Sequence, residues 1–190
     1  PTMEVFDITA IAARAHAHGA LLMVDNTFAS PVNQQPLALG SDLVVHSATK
    51  YLGGHSDLTA GALMGPKALV EAVWPWRKNL GSTPAPQTAA LLARSLRTLV
   101  VRVRAQNASA LAVAQALQGH PRVVRVHYPG LASFPGHALA ARQMTGFGGM
   151  LTIEVRGGEA AASQTADRLT LFGLAPSLGG VESLVTQPCT

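Results

Sequence analysis

Apolar positions along the first third of the chain change their rhythm twice. Between Asp7 and His18 they recur at Ile8, Ile11, Ala12 and Ala15, the spacing of one helix face. Asp7 is placed to cap the start of that helix and Gly19 to stop its end. The next stretch, ALLMVD at 20–25, is continuous instead of periodic, the pattern of a strand buried on both faces, and DLVVHS at 42–47 repeats it. Pro31 and Pro36 lie between the two and leave room for a short helical piece at most. AGALMG at 60–65 is a third, glycine-rich candidate strand. Helix, buried strand, short helix and buried strand in alternation predict an α/β layer with a mainly parallel sheet.

After Gly81 the chain is largely helix-permissive from about Pro86 to Leu117, which predicts a long or bent helix leading out of this first domain. Beyond Gly119 the grammar changes. RVVRVHY alternates as a strand, GHALAARQM reads as a short helix, GGMLTIEV as a strand and EAAASQTADRLTLF as a helix. The expected division is residues 1–108 in one domain and 109–190 as the first part of a smaller α+β domain. No internal repeat or low-complexity segment interrupts either part.

Composition narrows the class. Of 190 residues, 48% are apolar and 13% charged, the balance of a folded interior and not of a disordered segment. No apolar run approaches the roughly 20 residues needed to span a bilayer, and no basic-then-apolar leader opens the chain. A cytoplasmic protein is the expectation, with no membrane partner. Cys189 is the single cysteine, cannot form an internal disulfide, and reads as a small buried or terminal residue. The net charge of +4 raises nucleic acid as a partner. Arg94, Arg97, Arg102 and Arg104 share one helical region without interleaved aromatics, however, and predict a solvated or subunit-contacting face. His16 and His18 diverge on a helix and the other five histidines are scattered, so no metal site is expected. Pro1 leads straight into the first helix, and the chain reads as an internal segment of a longer protein.

Candidate chemistry concentrates in VVHSATKYLGGHSD, residues 44–57. Ligands of parallel sheets sit beyond the carboxyl ends of the strands, where Asp25 ends the first strand and Ser47, Thr49 and Lys50 follow the second. A lone lysine after a strand is usually a surface charge. Two hydroxyls within three residues, followed by Gly53 and Gly54, make a turn whose hydroxyls and amides can face an anion such as phosphate. A lysine beside that anion can be the amine that forms a Schiff base with a carbonyl cofactor. Asp25 reads either as a cap or salt-bridge partner, or as the acid that pairs with a protonated pyridine nitrogen and keeps pyridoxal phosphate an electron sink.

LLMVDNTFASPVNQQPLALGSDLVVHSATKYLGGHSDLTAGALMG, followed in order by LGSTPAPQTAALLARSLRTL, YPGL, GHALAARQMTGFGGML and SLGGVESL, resembles the Cys/Met-metabolism family of pyridoxal-phosphate enzymes. That family includes cystathionine γ-synthases, cystathionine lyases, methionine γ-lyases and homoserine-ester sulfhydrylases. The resemblance implies the fold of the type I, aspartate aminotransferase-like enzymes. It implies that Lys50 carries the internal aldimine, Asp25 pairs with the pyridinium nitrogen, and Ser47 and Thr49 help bind the phosphate. Ser177, in APSLGG, would lie near the substrate carboxylate. Thr27 would support the ring or form a plain turn, and His46, Tyr51 and His55 would be structural.

The implied reaction is γ-elimination or γ-replacement on a sulfur amino acid, cystathionine γ-synthase- or γ-lyase-like. Methionine γ-lyase, O-succinylhomoserine sulfhydrylase and cystathionine β-lyase are the alternatives, and a non-catalytic relative is the alternative from another class. SLGGVESL favours the γ branch, while Pro176 stands where several cystathionine-handling members carry glutamate. Partners implied by the resemblance are a small amino-acid substrate and further copies of the chain, in a homotetramer whose sites are shared between subunits. The family's upstream phosphate loop and stacking tyrosine and its downstream substrate-clamping arginine match nothing here. Classical nucleotide loops are absent as well.

Overall fold

The computed structural model describes residues 2–188. Pro1 and Cys189 lie outside them. Helix α1, Ile8–Ala17, begins where the Asp7 carboxylate accepts the Ala10 N–H at 3.0 Å and buries Ile8 and Ala12. It ends where Gly19 takes a left-handed φ of +69° and the Gly19 and Ala20 amides close back on His16 and Ala15.

Strand β1, Met23–Asp25, pairs in parallel with β2, Leu43–Ser47, in the register Met23 to Leu43 and Asp25 to Val45. The crossover between them contains α2, Ser30–Asn33, and a 3-10 turn at Pro36–Leu39. Two details refine the sequence pattern here. Strand β3, Gly61–Met64, joins β2 antiparallel, with Ser47 opposite Gly61, so the sheet of three has one parallel and one antiparallel pair. Residues 48–60 form a loop without the helical crossover that a parallel return needs. Among the described residues the 20–25 run is not buried on both faces, since Leu21 and Met23 are 60% and 57% exposed, and β1 ends the sheet of three.

Helix α3, Lys67–Asn79, was not anticipated, and it buries none of its residues. The helix expected over 86–117 is two helices, α4 at Pro86–Leu96 and α5 at Leu99–Leu117, broken at Arg97 and Thr98. Helix α5 joins two cores. Its Leu99 and Val103 pack with Ala48, Tyr51 and Leu52, and its Ala110 and Ala114 pack with Tyr128, Leu131 and Phe134. The spacing of four, seven and four residues keeps these on one stripe. Each large apolar side chain so buried contributes about 1.5–3 kcal/mol.

Beyond α5, strand β4, Val123–His127, and strand β5, Thr152–Val155, form an antiparallel pair with a register slip between Val123 and Arg125. Helix α6, His137–Gln143, lies between them in sequence, as the pattern predicted. Helix α7, Gly158–Arg168, stops before the LTLF that the reading included. A short parallel pair, β6 at Gly173–Leu174 and β7 at Leu184–Val185, brackets the SLGG segment. No helix among the described residues is long and apolar enough to cross a membrane.

Candidate functional site

The carboxyl ends of β1 and β2 carry the candidate residues. At the end of β1, Asp25 Oδ1 accepts from the Thr27 amide at 3.0 Å and from the Thr27 hydroxyl at 2.6 Å. The same Thr27 oxygen accepts the Ser47 N–H at 2.7 Å. Thr27 thus does more than form a turn, since it couples Asp25 to the start of the Lys50 turn. Asp25 is exposed, and its Oδ2 makes no hydrogen bond to another described residue.

Beyond β2, residues 48–54 form a compact turn in which the Gly53 amide bonds Ala48 O and the Gly54 amide bonds Lys50 O, both at 2.7 Å. Thr49 is held on one side of Lys50, its hydroxyl accepting the Ala60 N–H at 3.1 Å while its own amide reaches Ala60 O. That hydroxyl donates to Ala60 O only at 3.4 Å, near the outer limit for an O–H donor, so its proton can turn to an anion. The Ser47 hydroxyl has no partner among the described residues.

Tyr51 on the other side is fully buried, and its hydroxyl accepts the Gly149 N–H at 3.1 Å. Burial pushes that phenol's pKa up. His46, on β2, is 4% exposed with an unpartnered Nε2. Burial holds its pKa below the ordinary value, against a smaller upward pull from the Asp25 charge. His55 bonds Gly53 O through Nδ1 at 2.8 Å.

The SLGG segment completes the site from far along the chain. Lys50 Nζ donates to Ser177 Oγ at 3.0 Å across 127 residues. Gly179, at φ +78°, lies flat on the Lys50–Tyr51 peptide, where an added Cβ would stand 2.5 Å from Tyr51 N and 2.8 Å from Lys50 C. Gln106 of α5 holds the next residue through Gly180 O at 2.8 Å.

The structure therefore gathers Asp25, Ser47, Thr49, Lys50 and Ser177 at one edge of the sheet. Arg102 does more than the expected solvated or subunit-contacting face requires, because it is half-buried and spends its donors within the chain. Its guanidinium bonds Tyr51 O at 2.9 Å, Ser95 O at 3.0 Å and Thr98 Oγ1 at 3.0 Å. Nothing local in the sequence separates Arg102 from Arg104, since only tertiary packing brings α5 to this turn. Gly179 did have a signal, the doubled glycine of SLGG.

The donor set fits pyridoxal phosphate. One free carboxylate oxygen, a primary amine, a free hydroxyl and a redirectable one converge from two strand ends, as a ring N–H, an aldehyde and a phosphate require. The fold is that of the fold-type I class of pyridoxal-phosphate enzymes, and the site residues suit that class. More narrowly, the chain belongs to the Cys/Met metabolism PLP-dependent enzymes, whose family model matches residues 1–190.

It is 49% identical over 189 residues to the cystathionine gamma-synthase of Mycobacterium leprae (strain TN), covering 99% of this chain and 49% of that protein. It is 47% identical over 189 residues to the cystathionine beta-lyase of Lactococcus lactis subsp. cremoris (strain MG1363), covering 99% of this chain and 50% of that protein. Among solved structures, the cystathionine gamma synthase of Xanthomonas oryzae pv. oryzae in complex with cystathionine superposes with a TM-score of 0.95 at 48% identity. That match covers 98% of this chain and 48% of the other. The chain thus spans about half the length of the relatives it matches.

Proposed function

We propose that this chain carries the cofactor-lysine half of a pyridoxal-phosphate enzyme that catalyses γ-replacement or γ-elimination on sulfur amino acids, as cystathionine γ-synthases do. The observation that carries the reading is the Lys50 amine, held at 3.0 Å from Ser177 at the same sheet edge as Asp25. Bound there, the cofactor supplies an electron sink for the pair left when an α-proton departs.

The chain's own residues then have separable tasks. Lys50 would hold the cofactor through Nζ and, once the substrate amine has displaced it, would use the freed Nζ to move the substrate α-proton. Asp25 Oδ2 accepts the ring N–H, while Thr27 keeps Oδ1 occupied and the carboxylate oriented. Ser47 and Thr49 offer hydroxyl protons to the phosphate. Ser177 exchanges its bond with Lys50 for one with the substrate carboxylate.

Likeness to both a gamma-synthase and a beta-lyase, at 49% and 47%, sets the assays. The full-length protein should condense a homoserine ester with cysteine, and cleavage of cystathionine or methionine is the competing outcome. Borohydride reduction should fix the cofactor on Lys50 in the mapped peptide. Lys50→Ala should abolish that adduct and turnover together, and retention of either would refute the assignment.

The same reading carries a homotetramer with shared sites and a cytoplasmic location, tested by sedimentation and fractionation. It also places a domain boundary near residues 108–109, supported by the two cores that α5 joins. Limited proteolysis of the full-length protein tests that boundary.

A further inference from the structure

Lys50 must present its amine repeatedly at one point, yet it sits in a glycine-rich turn with no helix or strand of its own. What keeps the turn in place on the α5 side is a cation. Arg102 Nη1 donates to Tyr51 O at 2.9 Å, directly after Lys50. Its Nη2 donates to Ser95 O at 3.0 Å near the end of α4, and its Nε to Thr98 Oγ1 at 3.0 Å at the start of α5. Among the described residues, no carboxylate pairs with this guanidinium. It is half-buried, and burial lowers its pKa. A half-buried guanidinium spending three donors on neutral oxygens suits a three-way clamp, since its planar fork spans directions a lysine cannot.

Gly54 makes room for it. That residue has φ +69°, and a Cβ there would overlap the guanidinium itself. The Gly54 amide in turn bonds Lys50 O at 2.7 Å. The glycine therefore serves two ends at once, admitting Arg102 and closing the turn on Lys50.

We propose that Arg102, admitted by Gly54, is a positioning residue for Lys50, locking the 48–54 turn to the α4–α5 junction so that the amine is held in register with Asp25. This inference rests on the proposed role of Lys50, and its test includes a readout that needs no cofactor. In the full-length apoprotein, Arg102→Met should raise hydrogen exchange of the 50–54 amides by at least about tenfold while β2 amides stay protected, the signature of a local opening. In the cofactor-loaded protein, kcat should fall roughly 10- to 100-fold with KM nearly unchanged, the scale of a small misplacement of a reacting group. The pH midpoint of the cofactor absorbance should shift as well.

Arg102→Lys should recover only part of each effect, and millimolar methylguanidinium should restore Arg102→Ala where methylammonium does not. Gly54→Ala should reproduce the Arg102→Met pattern, and Arg104→Met, an exposed arginine two residues on, should leave it unchanged. Wild-type exchange at 50–54 in Arg102→Met would overturn the proposal, as would a fall in melting temperature with kcat and the absorbance midpoint intact. A wild-type protein whose Lys50 takes up no cofactor would refute the proposed function instead, and the exchange measurement would still decide the clamp.

Discussion

The turn after β1 is braced largely by its neighbours in sequence, beyond its ties to β2 at Val45 and Ser47. Thr27 reaches back two residues to Asp25, and Asn26 Nδ2 of the side chain donates to Ser30 O at 3.2 Å and Gln34 O at 2.9 Å. The turn after β2 stands beside it at the same sheet edge and is held from far away. Gly149, Arg102 and the 177–180 segment bind it from three separate parts of the chain, beside Ala60 at the end of its own loop. The difference follows from the tasks. A carboxylate that must point one oxygen outward needs only a local brace. An amine on a flexible four-carbon stem needs its backbone fixed on several sides, and a loop of 13 residues cannot supply that itself. Long-range contacts close large loops, at an entropic cost that grows only slowly with loop length.

The sharpest way to break the second turn and spare the first is Gly179→Ala in the full-length protein. Left-handed backbone and a clash with the Lys50–Tyr51 peptide add to roughly 2–4 kcal/mol of lost stability. Denaturant midpoints would show it, with cofactor uptake on Lys50 falling in parallel. An unchanged midpoint would mean that the SLGG segment does not rest on the turn.

Thr27→Val tests the link between the two turns. It strips the acceptor from the Ser47 N–H and a donor from Asp25, costing about 1–3 kcal/mol, whereas Thr27→Ser should remain near wild type. Equal loss in both variants would assign the effect to packing of the methyl group and not to the hydroxyl.

The smallest effect expected is a pH dependence from His46, which lies beside the junction of the turns. Its folded pKa lies below the ordinary 6.5, so the unfolded chain binds the extra proton first. The stabilisation is complete above about pH 6.5 and is lost as pH falls through the folded value. Urea titrations of the full-length protein between pH 7.5 and 5 should show that decline, flattened in His46→Asn. A decline of equal slope in the variant would place the titrating group elsewhere.

Much of this was legible because it is local. Helix α1, the cap at Asp7 and the strand ends that deliver Asp25 and Lys50 are written in spacing and residue type, and the quoted motifs carried the family. Exposure of β1, the antiparallel return of β3, the position of the break between α4 and α5 and the whole of α3 were not legible. Alternation reports which faces can be buried, and not which neighbour arrives to bury them. Arg102 makes the same point most plainly, because Arg102 and Arg104 differ by two positions on one helix and only one faces a carbonyl.

The sequence by itself determined the chemical inventory at the sheet edge: an amine, a carboxylate and two hydroxyls, set at strand ends by short-range patterns of apolar residues. Only the tertiary structure decided which of those groups are free and which are engaged. Thr49 turned to Ala60, Thr27 to both Asp25 and Ser47, and Lys50 to Ser177, because these partners, the last of them 127 residues apart, meet only once the chain has folded.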